Sequence, residues 1–92
     1  ITFDDDGRVT SWNLGAERIF GHAEAEMLGQ PADVLFTPED REHGVPAEEM
    51  SRARKFGRVE EDRWHLRKDG TRFRSSGVLS RLDQSGISGF AK

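Results

Sequence analysis

Arg58-Val59-Glu60-Glu61-Asp62-Arg63-Trp64-His65-Leu66-Arg67-Lys68-Asp69-Gly70-Thr71-Arg72-Phe73 is the stretch whose reading decides the fold. Asp-Gly is a strong reversal signal, because both residue types tolerate positive φ. Arg58–Lys68 and Thr71–Leu82 are therefore predicted as two antiparallel strands folded back on Asp69-Gly70. Downstream, Asp83-Gln84-Ser85-Gly86 reads as a further turn, and Ile87–Lys92 as the start of a last strand. Upstream the pattern is helical. Pro46 opens a helix that runs to Phe56, with Glu48 and Glu49 early, Arg52, Arg54 and Lys55 late, and Gly57 as its stop. Met50 and Ala53 give that helix a narrow inward stripe. Thr37-Pro38-Glu39-Asp40 starts a shorter helix before it, interrupted by Gly44.

Nearer the beginning, Asn13 stands as an N-cap for a helix through Leu14, Ala16, Ile19 and Phe20, closed by Gly21. Ala23–Leu28 adds a turn or two, and Pro31–Phe36 another. Ile1–Phe3 and Val9–Trp12 flank Asp4-Asp5-Asp6-Gly7 as a first hairpin. The order is two strands, four short helices and three strands, an α+β pattern with the helices inserted between the second and third strands of an antiparallel sheet.

Ninety-two residues are one domain's worth of chain. Apolar and charged residues each make up 34%, so the core must be thin, which favours a single sheet with helices on one face. Fourteen basic and seventeen acidic residues are interspersed and leave a net charge of −3. No basic stripe with interleaved aromatics occurs, which argues against a nucleic-acid partner. The chain has no cysteine, which removes disulfides, thiolate metal sites and cysteine nucleophiles. That absence fits a reducing cytoplasm. Apolar runs such as Val34-Leu35-Phe36 are too short for membrane insertion.

Taken together, Asp6-Gly7-Arg8-Val9, Trp12-Asn13, Gly15-Ala16-Glu17, Ile19-Phe20-Gly21-His22 and Glu26-Met27-Leu28-Gly29 resemble the PAS domain family. So do Phe36-Thr37-Pro38-Glu39-Asp40-Arg41, Arg67-Lys68-Asp69-Gly70-Thr71-Arg72-Phe73 and Gly89-Phe90, in the same order. The resemblance covers residues 1–92 as one domain, and the subtype is similar to those of bacterial sensor histidine kinases. It implies a five-stranded antiparallel PAS fold with helices over one face and a cavity between them. The family usually continues into an Asp-x-Thr segment and a signalling helix. The chain is thus expected to be a piece ending before its last strand is complete.

The same resemblance implies which strand residues face inward. Arg63, His65, Phe73, Ser75, Gly77 and Leu79 would face the helices, joined by Phe20, Leu35, Met50 and Phe90 as ligand-cavity lining. Phe3, Ile19 and Leu28 would complete the core. Two readings of Arg63 follow: with His65 it binds a small acidic or polar ligand, or it reaches the sheet edge and pairs with Glu17, Glu61 or another acid. Gly77 leaves room for a ligand or for a packed aromatic such as Phe20. Trp64, Leu66 and Val78 would face outward and form an interface, either with a second copy or with flanking chain.

Flavin photochemistry of the cysteinyl-adduct kind is excluded without a cysteine, as is a thioester chromophore. His65 and Ser75 stand where flavin-binding relatives carry asparagines, and His43 precedes the long helix on which haem-binding relatives carry their histidine. Either no cofactor or a small non-covalent ligand is therefore expected. His22, His43 and His65 are too scattered for zinc, Asp4–Asp6 reads as a solvated turn, and Glu60-Glu61-Asp62 as a solvated strand edge. No catalytic or metal site is expected. The resemblance implies a cytoplasmic sensory and relay module of a two-component signalling protein. Its partners would be a second copy, a flanking signalling helix, and a kinase or other effector domain. The alternative is a purely structural dimerisation module with a filled core and no ligand.

Overall fold

The computed structural model describes residues 1–84 and 87–92. Within the turn expected at Asp83–Gly86, Ser85 and Gly86 lie outside the described residues. The elements run β1 (Thr2–Phe3), β2 (Val9–Ser11), α1 (Leu14–Phe20), α2 (Glu24–Met27), a 3-10 turn (Ala32–Leu35), α3 (Pro38–Glu42), α4 (Val45–Phe56), β3 (Arg58–Leu66), β4 (Arg72–Gln84) and β5 (Ile87–Ala91). The five strands form one antiparallel sheet in the order β2-β1-β5-β4-β3.

Local chemistry explains the boundaries. Asn13 Oδ1 accepts from the Ala16 N–H at 2.8 Å, and Thr37 Oγ1 accepts from the Asp40 N–H at 3.3 Å, each capping a helix start. The helix expected to open at Pro46 begins one residue earlier, at Val45, with the proline in its first turn. In the β3–β4 hairpin, Asp69 Oδ1 accepts from the Thr71 N–H at 2.9 Å while the Gly70 N–H donates to the Arg67 carbonyl at 3.0 Å. That turn sets the register His65↔Phe73, Arg63↔Ser75, Glu61↔Gly77 and Val59↔Leu79. Period-two alternation then sends this set to the helix-covered face and Trp64 to the other.

The core between sheet and helices holds Phe3, Val9, Trp12, Phe20, Met27, Leu35, Phe36, Ala53, Val59, Leu79 and Phe90. Phe90 is fully buried, with the guanidinium groups of Arg54 and Arg81 about 5 Å from its ring centroid. Arg81 and Ser88 both hold the Asp5 carboxylate, and Arg54 donates to the Asp5 carbonyl, which fastens the β1–β2 turn to β5 and α4. Two residues expected in the core are not there. Ile19 is 51% and Leu28 44% exposed. Helix α1 has only two turns, and its sheet-facing stripe is the Ala16 and Phe20 pair four residues apart; Ile19 is rotated about 100° from Phe20 and meets solvent.

Gly89 sits where β5 passes β1, with φ of 151°. A Cβ built there would lie 2.1 Å from the Phe3 carbonyl oxygen. Backbone cannot yield as a flexible side chain can, so Gly89→Ala is expected to cost about 2–4 kcal/mol by disrupting the β1–β5 pairing. Urea denaturation of the variant and the parent checks this; equal midpoints would show that the strands separate without penalty.

Candidate functional site

Beneath α4 the inner sheet face carries charge rather than hydrocarbon. On β3, alternation puts Val59, Glu61, Arg63 and His65 on the covered face. The Glu61 side chain is fully buried, which corrects the expectation of a solvated edge at Glu60-Glu61-Asp62. The solvated-edge reading weighed the run of acids, whereas alternation through Val59 and His65 places Glu61 inside. Glu61 stands opposite Gly77, where the missing side chain leaves space: a Cβ on Gly77 would be 3.8 Å from Glu61 Oε1. Phe20 packs instead on Trp12, His65 and Phe73.

Partners come to this carboxylate from β3 and from the end of β5. Lys92, directly after β5, donates from Nζ to Glu61 at 2.6 Å and lies 3.2 Å from His65 Nε2, with its ammonium 5.0 Å from the Phe36 ring centroid. His65 Nδ1 is 3.0 Å from the Leu35 carbonyl. A carbonyl only accepts, so Nδ1 carries a hydrogen, while Nε2 stands 3.5 Å from Glu61 Oε1. From α4 comes Glu49, whose Oε1 is 2.5 Å from Arg63 Nε. That approach misses the N–H axis, so it is not a hydrogen bond. Arg63 lies 3.9 Å from Glu61 and 3.8 Å from Asp40 of α3 as well, and remains a quarter exposed. The structure therefore pairs Arg63 with acids, though with Glu49, Asp40 and Glu61 and not with Glu17, which instead accepts from the Glu24 N–H.

The two carboxyl groups are driven apart. Burial raises the Glu49 pKa from the ordinary 4.5 to about 7, helped by the negative charge of Glu61. Burial also pushes Glu61 upward, but the hydrogen bond from His65 and the attraction and hydrogen bond of Lys92 outweigh it and carry Glu61 down to about 2. The pair therefore holds one proton over a wide range, on the member that lacks the ammonium.

A cavity of about 10 Å³, room for roughly one water, lies next to this cluster, lined by Phe3, Ala32, Phe36, Pro46, Glu49, Met50, Leu79 and Lys92. Of the residues expected to line a ligand cavity, Met50 and Leu79 do so. Phe20, Leu35, His65 and Phe90 are packed in the interior around it, and Phe73, Ser75, Gly77 and Arg63 are half-buried along the inner face. Glu49 and Lys92 were not among the expected residues. The Pro46-Glu49-Ala53 spacing places Glu49 on the helix's inward stripe and could have revealed it. No local signal marks Lys92. On the outer face Trp64 is 48% exposed beneath the Arg74 guanidinium, which pairs with Asp62 at 2.8 Å; Leu66 and Val78 are half-buried. His43 is exposed at the end of α3. Among the described residues, no cluster of three or more histidine and acidic side chains is placed to hold a metal ion, and no helix is long and apolar enough to cross a membrane.

An antiparallel five-stranded sheet roofed on one face by short helices, with a charged centre between the layers, defines an α+β module of the PAS type. A family model described as a PAS domain matches residues 1–90, and the chain belongs to that family. It is 33% identical over 83 residues to Two-component system protein A of Emericella nidulans, a match covering 90% of this chain and 12% of that protein's length. The chain thus spans a small part of that relative. The crystal structure of the PAS domain of a Colwellia psychrerythraea protein matches with a TM-score of 0.87 at 25% identity, covering 98% of this chain and 77% of the other. The PAS domain, in complex with ethanol, of a LuxR-family transcriptional regulator from Burkholderia thailandensis matches with a TM-score of 0.78 at 21% identity, covering 98% and 80%.

The opposed shifts of Glu49 and Glu61 predict a stability optimum near the ordinary carboxylate value of 4.5. The Glu61 contribution is present above 4.5 and is lost as pH falls toward about 2. The Glu49 contribution is present below 4.5 and is lost as pH rises to about 7. Exposed, paired carboxylates at Asp5, Glu26, Glu39, Asp62 and Asp69 are also lowered and add to the loss on the acid side only. Urea midpoints measured across pH should rise and then fall; a curve flat from 4.5 to about 7 would contradict the assignment of the proton to Glu49. Glu61→Gln is expected to cost about 3–5 kcal/mol at neutral pH, because it leaves Lys92 buried without its anion.

Proposed function

We propose that this chain is the sensory and relay module of a multidomain signalling protein of the two-component kind, with a histidine kinase or another effector as its output. One observation carries the reading. A charged cluster is buried between α4 and the sheet and is joined by Lys92 to the end of β5. Buried ion pairs are weak contributors to stability compared with well-packed hydrocarbon, so their presence in so thin a core favours a role in signalling over one in folding. The resemblance to Two-component system protein A supports the signalling context. A ligand or other input can bias output only by its differential affinity for two arrangements of the module, and the α4–β3–Lys92 contact is the element with two charge arrangements available. The module itself is non-catalytic, works in the cytoplasm, and dimerises through the face that carries Trp64, Leu66 and Val78.

The test is a chimera in which residues 1–92 replace the PAS module of a sensor kinase. Lys92→Met keeps the side-chain stem against Phe36 and removes the charge. It is expected to change autophosphorylation by about fivefold or more, while Arg58→Ala on the solvent side leaves it unchanged. Equal output from both variants, with both folded, would sink the relay reading.

The competing reading, a filled dimerisation module, draws on the cavity of only about 10 Å³ and on the exposed Trp64. It is checked on the chain alone. Native mass spectrometry with a thermal-shift screen of small polar metabolites should reveal a bound mass or a rise of several degrees if the interior takes a molecule, since a native-state ligand must stabilise. Light scattering decides the dimer: Trp64→Glu should yield monomers where the parent chain yields dimers.

A further inference from the structure

Six ionisable side chains from four parts of the chain converge under α4: Glu49 of α4, Glu61, Arg63 and His65 of β3, Asp40 of α3, and Lys92 beyond β5. His65 donates from Nδ1 to the Leu35 carbonyl and stands with Nε2 3.5 Å from Glu61 and 3.2 Å from Lys92 Nζ. Two cations, Arg63 and Lys92, then face the carboxylates of Glu61 and Asp40. With Glu49 as the acid, the charges of Arg63, Lys92, Glu61 and Asp40 balance; with Glu49 as the carboxylate, three carboxylates face these two cations. Glu49 Oε1 and Glu61 Oε2 are both buried without a hydrogen-bond donor, and both flank Arg63 Nε, at 2.5 and 3.9 Å. Two carboxylate oxygens are acceptors only, and a proton on Glu49 turns that opposition into a donor and an acceptor.

On the reading of this chain as a relay module, we propose that the input its interior takes up is a proton, bound by Glu49 against Glu61, and that release of this proton loosens α4 from the sheet. Besides the contacts of Val45 and Met50 with the core and of Arg54 with Asp5 and Phe90, the helix is seated through its inward stripe. Its buried residues are Pro46, Glu49 and Ala53, so the carboxyl occupies the middle of a three-residue seat. Arg63 opposes the release of α4 by attracting the ionised form. It is shared among three acids and partly solvated, so it compensates one carboxylate and not two. Ionised Glu49 also competes with Glu61 for Lys92, and through that ammonium the change of charge reaches the end of β5. A cavity with room for about one water lies beside Glu49 and Lys92.

The experiment follows the carboxyl carbons of the glutamates by NMR on the chain of residues 1–92, from about pH 4 to about pH 9. Amide hydrogen exchange is measured over the same range and corrected for intrinsic base catalysis. One glutamate should titrate far above the others, and its signal should be missing in Glu49→Gln. Exchange in Val45–Phe56 and in residues 87–92 should quicken by about tenfold as that glutamate ionises, and should stay slow in Glu49→Gln. If Glu49→Gln does not fold, Glu49→Met supplies the uncharged comparison. A native chain in which every glutamate titrates together overturns the proposal, and so does a titrating Glu49 with unchanged exchange. Either failure leaves the relay reading to the kinase chimera, where Lys92→Met alters output whatever the nature of the input; a silent chimera beside a titrating Glu49 would instead remove the relay and keep only a proton site.

Discussion

Glu61 is a carboxylate with no access to water, and much of the interior is arranged around keeping it charged. An ion of that kind costs several kcal/mol to bury unless partners replace its hydration. Lys92 supplies an ammonium at 2.6 Å, His65 stands at 3.5 Å, and the missing side chain of Gly77 leaves space on the neighbouring strand. Those partners come from β3, β4 and the end of β5, so the position of one carboxylate links three of the five strands. His65 extends the linkage to the 3-10 turn through the Leu35 carbonyl, and its ring meets Phe36 edge-on at 5.0 Å between centroids.

The placement of β5 at the centre of the sheet makes this possible. It is the last strand in the chain and yet lies between β1 and β4, so its end emerges over the inner face and not at an edge. Gly89 permits the close approach to β1, and the Asp5–Arg81–Ser88 contacts hold the opposite end of the strand to the first turn. The terminal lysine is then carried across β4 to a glutamate on β3. Glu61, beneath α4, is thereby joined to the end of β5 by one ion pair.

On the proposed reading, a polar centre in a thin core makes α4 the adjustable element. The sheet is held by paired backbone along β3, β4 and β5, none of which responds to a change of charge. Helix α4 has instead an inward stripe interrupted by Glu49, so a change of charge there falls within its packing against the sheet. The similar solved structures share this frame of sheet and helices, and that likeness speaks for the fold alone.

What the amino-acid sequence determined by itself was local. Asp69-Gly70 turned the long hairpin, Asn13 and Thr37 capped their helices, and the alternation along β3 put Trp64 on one face and His65 on the other, because turns, caps and pleats depend on neighbours within a few residues. The family resemblance, carried by motifs in order, supplied the sheet and the covered face. Only the tertiary structure decided that Glu49 and Glu61 met in one interior and that Lys92 was the counter-ion. Alternation tells which residues share a face but not what covers that face. Residues 49, 61 and 92 meet through the packing of a helix and the threading of the last strand into the middle of the sheet, neither of which any short stretch of sequence encodes. Ile19 and Leu28 went the other way for the same reason: their apolar character was legible, but two short helices offered the sheet only Ala16, Phe20 and Met27.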